Sequence, residues 1–157
     1  MFSPRLIQLV ESNWQRIAAD AVQATRNDPR APSYRKLPDR ELYDRAYEVL
    51  RNLGWWLIEA DRDELHRLYV ALGQLRHSEG IPEMEVVRKL QILKRTVRQF
   101  LEDQRICHNA IELHSEYELL KAVDVFFDEA VYAVVKGYCL QREWAAERRE
   151  MALPAAV

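Results

Sequence analysis

The chain has 157 residues, 48% of them hydrophobic and 31% charged, with a formal net charge of −2. That size and apolar content suit one domain with its own core, and the mixed charge excludes the basic surface of a nucleic-acid binder. Four glycines and six prolines are too few for a turn-rich β-sandwich, and no apolar run reaches the roughly 18 residues of a membrane span.

The segment from Met1 to Gln15 lacks the basic, apolar and small-residue order of a signal peptide. Cys107 and Cys139 are too far apart in sequence for a zinc or redox spacing. The expectation is a reduced, cytoplasmic protein with neither nucleic acid nor membrane among its partners.

The prolines stand at positions 4, 29, 32, 38, 82 and 154, leaving 39–81 and 83–153 open to long helices. A first helix is predicted from Ser3 as N-cap and Pro4 at the first position to about Arg26. Its apolar stripe is Leu6, Val10, Trp14, Ile17, Ala21 and Ala24, at spacings of three and four. Asn27 to Tyr34 reads as a loop. A second helix follows from Pro38-Asp39, with Leu42, Ala46, Val49 or Leu50, Leu53, Trp56 and Leu57 inward. Gly54 lies within it and costs about 1 kcal/mol of helix propensity against alanine, which points to close packing on a neighbour.

Asp61 with Glu64 three residues on marks the start of a third helix, whose apolar face is Leu65, Leu68, Tyr69, Leu72 and Leu75. The break Gly80-Ile81-Pro82 then ends one helix and starts the next. Gly80 suits the left-handed position after a helix, and Pro82 suits a first turn. The fourth helix offers Met84, Val87, Leu90, Leu93, Val97, Phe100 and Leu101 to the core. Its opposite face, Arg88, Lys89, Lys94, Arg95 and Arg98, is basic and expected to be solvated.

After a polar stretch from Glu102, Asn109 and Ser115 are alternative caps for the last helix. Its apolar residues run from Leu119 to Tyr138 in a stripe wider than one contact requires, implying burial on two sides. Residues 141–157 read as a helical extension with a frayed end. The whole is a single all-α domain of five or more helices, with no 20–50-residue repeat.

Chemistry is sparse. His66 and His77 project from nearly one side of a helix but roughly 16 Å apart, too far to share an ion. No Glu-x-x-His motif exists for a di-iron bundle, so no metal site is expected, although one histidine would suffice for a haem. Cys107-His108 are sequence neighbours, and neighbouring side chains on a helix diverge. With no phosphate-binding glycine loop and no Gly-x-Ser-x-Gly, catalytic residues are not expected. The adjacent Trp55 and Trp56 suggest a ligand pocket with Tyr69, His66, His77 and Phe100, the alternative being ordinary core packing.

The Gly80-Ile81-Pro82 break resembles the RsbR-type sensor N-terminal domain, the RsbRD N-terminal family. Further likeness lies in the preceding Arg76, in Val86-Val87-Arg88-Lys89-Leu90 after it, in Leu6-Ile7 with Val10, and in Phe126-Phe127-Asp128-Glu129-Ala130. The resemblance spans about residues 5–140. It implies a globin-like fold without haem, a homodimer, and bacterial stress signalling rather than catalysis. It also implies a signalling partner or an effector domain; the sequence stops soon after its last helix, as a stand-alone protein or a piece of a longer one would. Trp14, Ile17, Phe127, Val131, Val134, Val135 and Tyr138 are the candidate dimer interface, on the first and last helices. The functional expectation is sensing through dimerisation and helix repacking, with a small apolar ligand or haem carrier as the alternative.

Overall fold

In a computed structural model, residues 3–104 and 108–154 are described, and they form helices and turns without a strand. Six α-helices follow in order: α1 (Pro4–Ser12), α2 (Trp14–Asn27), α3 (Asp39–Leu50), α4 (Arg62–Ser78), α5 (Glu83–Asp103) and α6 (Ala110–Ala152). A 3-10 turn (Pro32–Lys36) precedes α3, and a π-helical turn (Trp55–Glu59) precedes α4. Helices α4 and α5 both pack on α6, while α2 packs on α3 and α5.

The single first helix expected from the sequence is two. Asn13 donates from its side-chain amide to the Leu9 carbonyl at 2.8 Å, and its own N–H reaches the same oxygen at 3.2 Å. This side-chain competition ends α1, and the Asn13 carbonyl starts α2 by accepting from Ile17 N–H at 3.1 Å. Thr25, not Ala24, closes the buried face of α2, and its hydroxyl is bonded back to the Ala21 carbonyl at 2.8 Å. The predicted second helix also stops short, at Leu50. The Gly54 N–H is taken by Glu11 Oε1 at 2.8 Å, and a Cβ there would lie 3.1 Å from Glu11 and Ile7 side chains. Close packing at Gly54, expected from its position, is against α1.

The Asp61 cap on α4 forms, with the carboxylate accepting from Glu64 N–H at 2.6 Å. The inward line of α4 differs from the leucine-rich face expected. Leu65, Tyr69, Gly73 and Arg76 are buried, whereas Leu68 and Leu75 are 48% and 51% exposed and Leu72 is half-buried. The reason is a close crossing with α6. A Cβ on Gly73 would fall 2.2 Å from the Val134 carbonyl oxygen, and one on Gly137 would fall 2.2 Å from that of Val70. The seam follows the residues that let two backbones touch, not those with the most hydrocarbon.

Gly80 has φ of +76°, with its N–H bonded to the His77 carbonyl and the Ile81 N–H to the Arg76 carbonyl. This is the left-handed helix end the sequence implied. Met84, expected in the core, is 81% exposed, and Glu85 is buried one position later. Two hydrogen bonds explain that exchange: Glu85 accepts from Ser33 N–H at 2.7 Å and from the Ser33 hydroxyl at 3.0 Å. The Asn109 cap is used for α6, accepting from Glu112 N–H at 2.9 Å, and Ser115 lies inside the helix. At 43 residues α6 is roughly 65 Å long by the usual rise per residue. Buried positions run from Leu119 to Tyr138, and none lies beyond among the described residues.

Candidate functional site

The sequence-picked pocket residues do not come together as one site. Trp55 and Trp56 meet edge to face at 4.7 Å, and Trp56 touches Tyr69 and Phe126 at 5.7 and 5.6 Å. Phe100 is buried elsewhere, with the Arg16 guanidinium 5.9 Å over its ring. His66 lies beside Tyr132 and Lys136, and His77 packs edge to face on Tyr138 at 5.5 Å. Tyr69 is 5% exposed, and burial pushes its hydroxyl well above the ordinary tyrosine range. The Cys107-His108 pair lies partly outside the described residues, at Cys107.

A cavity of about 340 Å³ does open beside Trp56. Its apolar wall is Trp56, Leu57, Leu65, Val125 and Phe126, and its rim is Asp61, Arg62, Glu118, Lys121 and Glu129. The π-turn shapes one side: the Ala60 N–H reaches back five residues to the Trp55 carbonyl at 2.8 Å. Beside this turn the indole N–H of Trp56 donates to the Glu48 carbonyl at 3.2 Å. An apolar wall with a charged rim suits a small amphipathic molecule. No histidine lines this cavity, so it offers no imidazole to a haem iron. Among the described residues no group of three or more metal-ligating side chains occurs.

The second region is the α4–α5 corner at Gly80–Pro82, which is tied to three other elements. The buried Tyr138 hydroxyl on α6 donates to the Ile81 carbonyl at 2.6 Å. Burial, with Glu83 nearby, raises its pKa to about 12, so the phenol keeps its proton and the bond persists through neutral pH. Arg142, one turn further along α6, pairs with Glu83 at 2.5 Å. Arg76 holds Glu79 at 2.9 Å, and Glu79 in turn receives Arg45 of α3 at 3.4 Å. Lys89 lies 5.1 Å over the ring of Tyr34, a loop tyrosine that is fully buried. The long helix therefore leaves the domain through a polar junction.

The basic face of α5, expected to be solvated, is largely paired. Arg88 reaches Asp28 at 2.6 Å, Lys94 reaches Asp128 at 2.8 Å, and Arg98 pairs with Asp124. The Arg30 N–H and the guanidinium groups of Arg88 and Arg30 hold the buried Asp28 carboxyl well below the usual range. The sequence pattern showed the cations, but their acidic partners come from the α2–α3 loop and α6, so their pairing had no local signal. Tyr34 and Arg45 were missed for the same reason; Arg76 was visible only as a corner residue.

The proposed dimer surface is corrected in part. Ile17, Phe127, Val134 and Tyr138 are at most 2% exposed inside the single chain, so they hold its own core and cannot face a second copy. Trp14, Val131 and Val135 remain half-exposed. Beyond Tyr138, Trp144 is 48% and Met151 83% exposed. At 100° per residue they continue the α6 face that is buried upstream, past the point where the domain ends.

Among the described residues, six α-helices, with α4 and α5 packed on α6 and α2 packed on α3 and α5, define an all-α, globin-like domain. The solved globin domain of E. coli DosC, in its ferrous form, superposes with a TM-score of 0.62 over 84% of this chain and 91% of that chain. At 15% identity this likeness speaks for the fold alone. The chain belongs to the family described as the RsbT co-antagonist protein rsbRD N-terminal domain, whose model matches residues 15–153. That family is one of sensor and signalling domains rather than of enzymes. No curated protein matches the sequence. No described helix is long and apolar enough to cross a membrane.

Proposed function

We propose that this chain is a non-catalytic, cytoplasmic sensory domain that works as a homodimer, with α6 as its output element. The observation carrying the reading is α6 itself. Its inner half is sealed in the core, while its outer part presents Trp144 and Met151, 48% and 83% exposed among the described residues, on the same face. Apolar side chains in such a row favour a second helix, supplied by another copy or by a signalling partner. A ligand or partner that prefers one packing of the α4–α5 corner would shift α6, because Tyr138 and Arg142 connect the two.

Sedimentation of the whole chain at micromolar concentration is expected to give twice the monomer mass. Trp144→Ala and Val135→Glu should shift it toward monomer while changing the stability of the fold by less than about 0.5 kcal/mol. A monomer for the unaltered chain removes the dimer from this reading.

A second reading rests on the cavity beside Trp56, which would take a small amphipathic ligand. Its check is tryptophan fluorescence with anilinonaphthalene sulfonate. Saturable quenching that is weakened by Val125→Arg supports the cavity, and quenching indifferent to that change rejects it. A parallel absorption spectrum with added haem tests the haem version, which a missing Soret shift removes.

A further inference from the structure

Hydrogen-bond donors outnumber acceptors in the polar cluster beneath the α4–α5 corner. Three cations meet there: Arg45 from α3, Arg76 from α4 and Lys89 from α5, around the phenol of Tyr34. The nearby carboxylates are already engaged. Glu79 accepts from Arg76 at 2.9 and 3.0 Å and from Arg45 at 3.4 Å. Glu41 is held by Arg45, and Glu85 by the backbone and hydroxyl of Ser33. The Tyr34 hydroxyl and Arg45 Nη1 are buried with no hydrogen-bond partner. Lys89 Nζ has the Tyr34 ring and no hydrogen bond or ion pair among the described residues.

We propose that Tyr34 Oη, Arg45 Nη1 and Lys89 Nζ, backed by Arg76, form a binding site for a small oxyanion. Buried polar groups in native proteins are nearly always bonded, so the unmatched Tyr34 hydroxyl and Arg45 Nη1, with the half-buried Lys89 over the same ring, mark a missing acceptor. Two of the three are cationic and the phenol is a donor, so an anion meets the requirement better than a neutral group. Glu41 and Glu79 are 42% and 33% exposed, so the cluster borders solvent on their side. Lost solvation, with Arg45 and Arg76 beside it, brings the Lys89 pKa down to about 7, against the partial compensation of Glu41 and Glu79. The Tyr34 ring also faces Lys89, and Tyr138 and Glu85 in turn act on the Tyr34 hydroxyl. A bound anion would favour the charged lysine, so binding takes up a proton.

The site stands without the dimer reading, and its test reads no oligomeric state. Isothermal titration of the whole chain with sulfate, at constant ionic strength set by sodium chloride, is the measurement. Sulfate keeps its charge near neutrality, so any pH dependence belongs to the protein. Saturable binding is expected, tighter about one unit below pH 7 than one unit above, as protonation of Lys89 requires. Lys89→Met should weaken it about tenfold, since a charge-assisted hydrogen bond is lost. Tyr34→Phe keeps the buried ring and removes only the hydroxyl; it should weaken binding several-fold with the helical circular dichroism unchanged. Acetate in the same titration separates recognition of a carboxylate from that of a tetrahedral oxyanion. The absence of saturable heat with either anion, or equal affinity in the unaltered chain and both variants, overturns the site.

Discussion

The α4–α6 crossing and the α4–α5 corner lie two turns apart on the same helix, yet different physics holds them. At the crossing, Gly73 and Gly137 bring two backbones into contact, and no side chain would fit between. At the corner, Gly80 has open space where a Cβ would go, and it is needed only for its positive φ. The crossing is determined by shape. The corner is determined by backbone conformation and by hydrogen bonds that reach α3, α6 and the 3-10 turn. A region locked by shape resists repacking, whereas one held by polar bonds can respond to charge, pH or an anion. Under the proposed function, the corner would be the responsive part of this domain and the crossing the rigid part.

Substitutions can break this contrast. The largest effect is expected for Gly137→Ala, whose new methyl meets the Val70 carbonyl; about 3 kcal/mol should be lost in urea unfolding. A neutral result would mean that the helices part easily, and the crossing would not be the rigid element. Tyr138→Phe should cost about 2 kcal/mol, because the buried Ile81 carbonyl loses its donor. It should also speed hydrogen exchange at the corner while leaving the Gly73 region protected. Gly80→Ala should cost about 1 kcal/mol, from backbone strain alone. If Gly80→Ala proved as costly as Gly137→Ala, the two regions would not differ as described.

A pH series sharpens the corner further. Lys89 is lowered in the folded chain to about 7 from an ordinary 10.5, so between those values the unfolded chain binds more protons. Stability should therefore rise as pH climbs through that window, and Lys89→Met should flatten the rise. An unchanged slope in the variant would show that Lys89 is not the group responsible.

Much of the fold was legible in the sequence. Pro4, Pro38 and Pro82 marked helix starts, Asp61 and Asn109 supplied caps, and Gly80 announced its left-handed turn, because these signals are local. Less of the candidate site could be read. The tryptophan pair was visible, but its partner Phe126 arrives from α6, and Phe100 faces another part of the core. Neither Tyr34, in what read as a loop, nor Arg45, outside the apolar stripe of the second helix, carried a signal for the cluster under the corner.

The sequence by itself determined that the chain is helical, roughly where its helices begin, and which family it resembles, since caps, prolines and apolar period act within a few residues. Only the tertiary structure decided which line of α4, and which residue at the start of α5, lies inside. Leu68, Leu75 and Met84 lost that place to Gly73, Arg76 and Glu85. Hydrophobicity favours burial in general, but backbone contact at a crossing and an exact hydrogen-bond partner choose the residue, and both depend on a second segment far away in the chain.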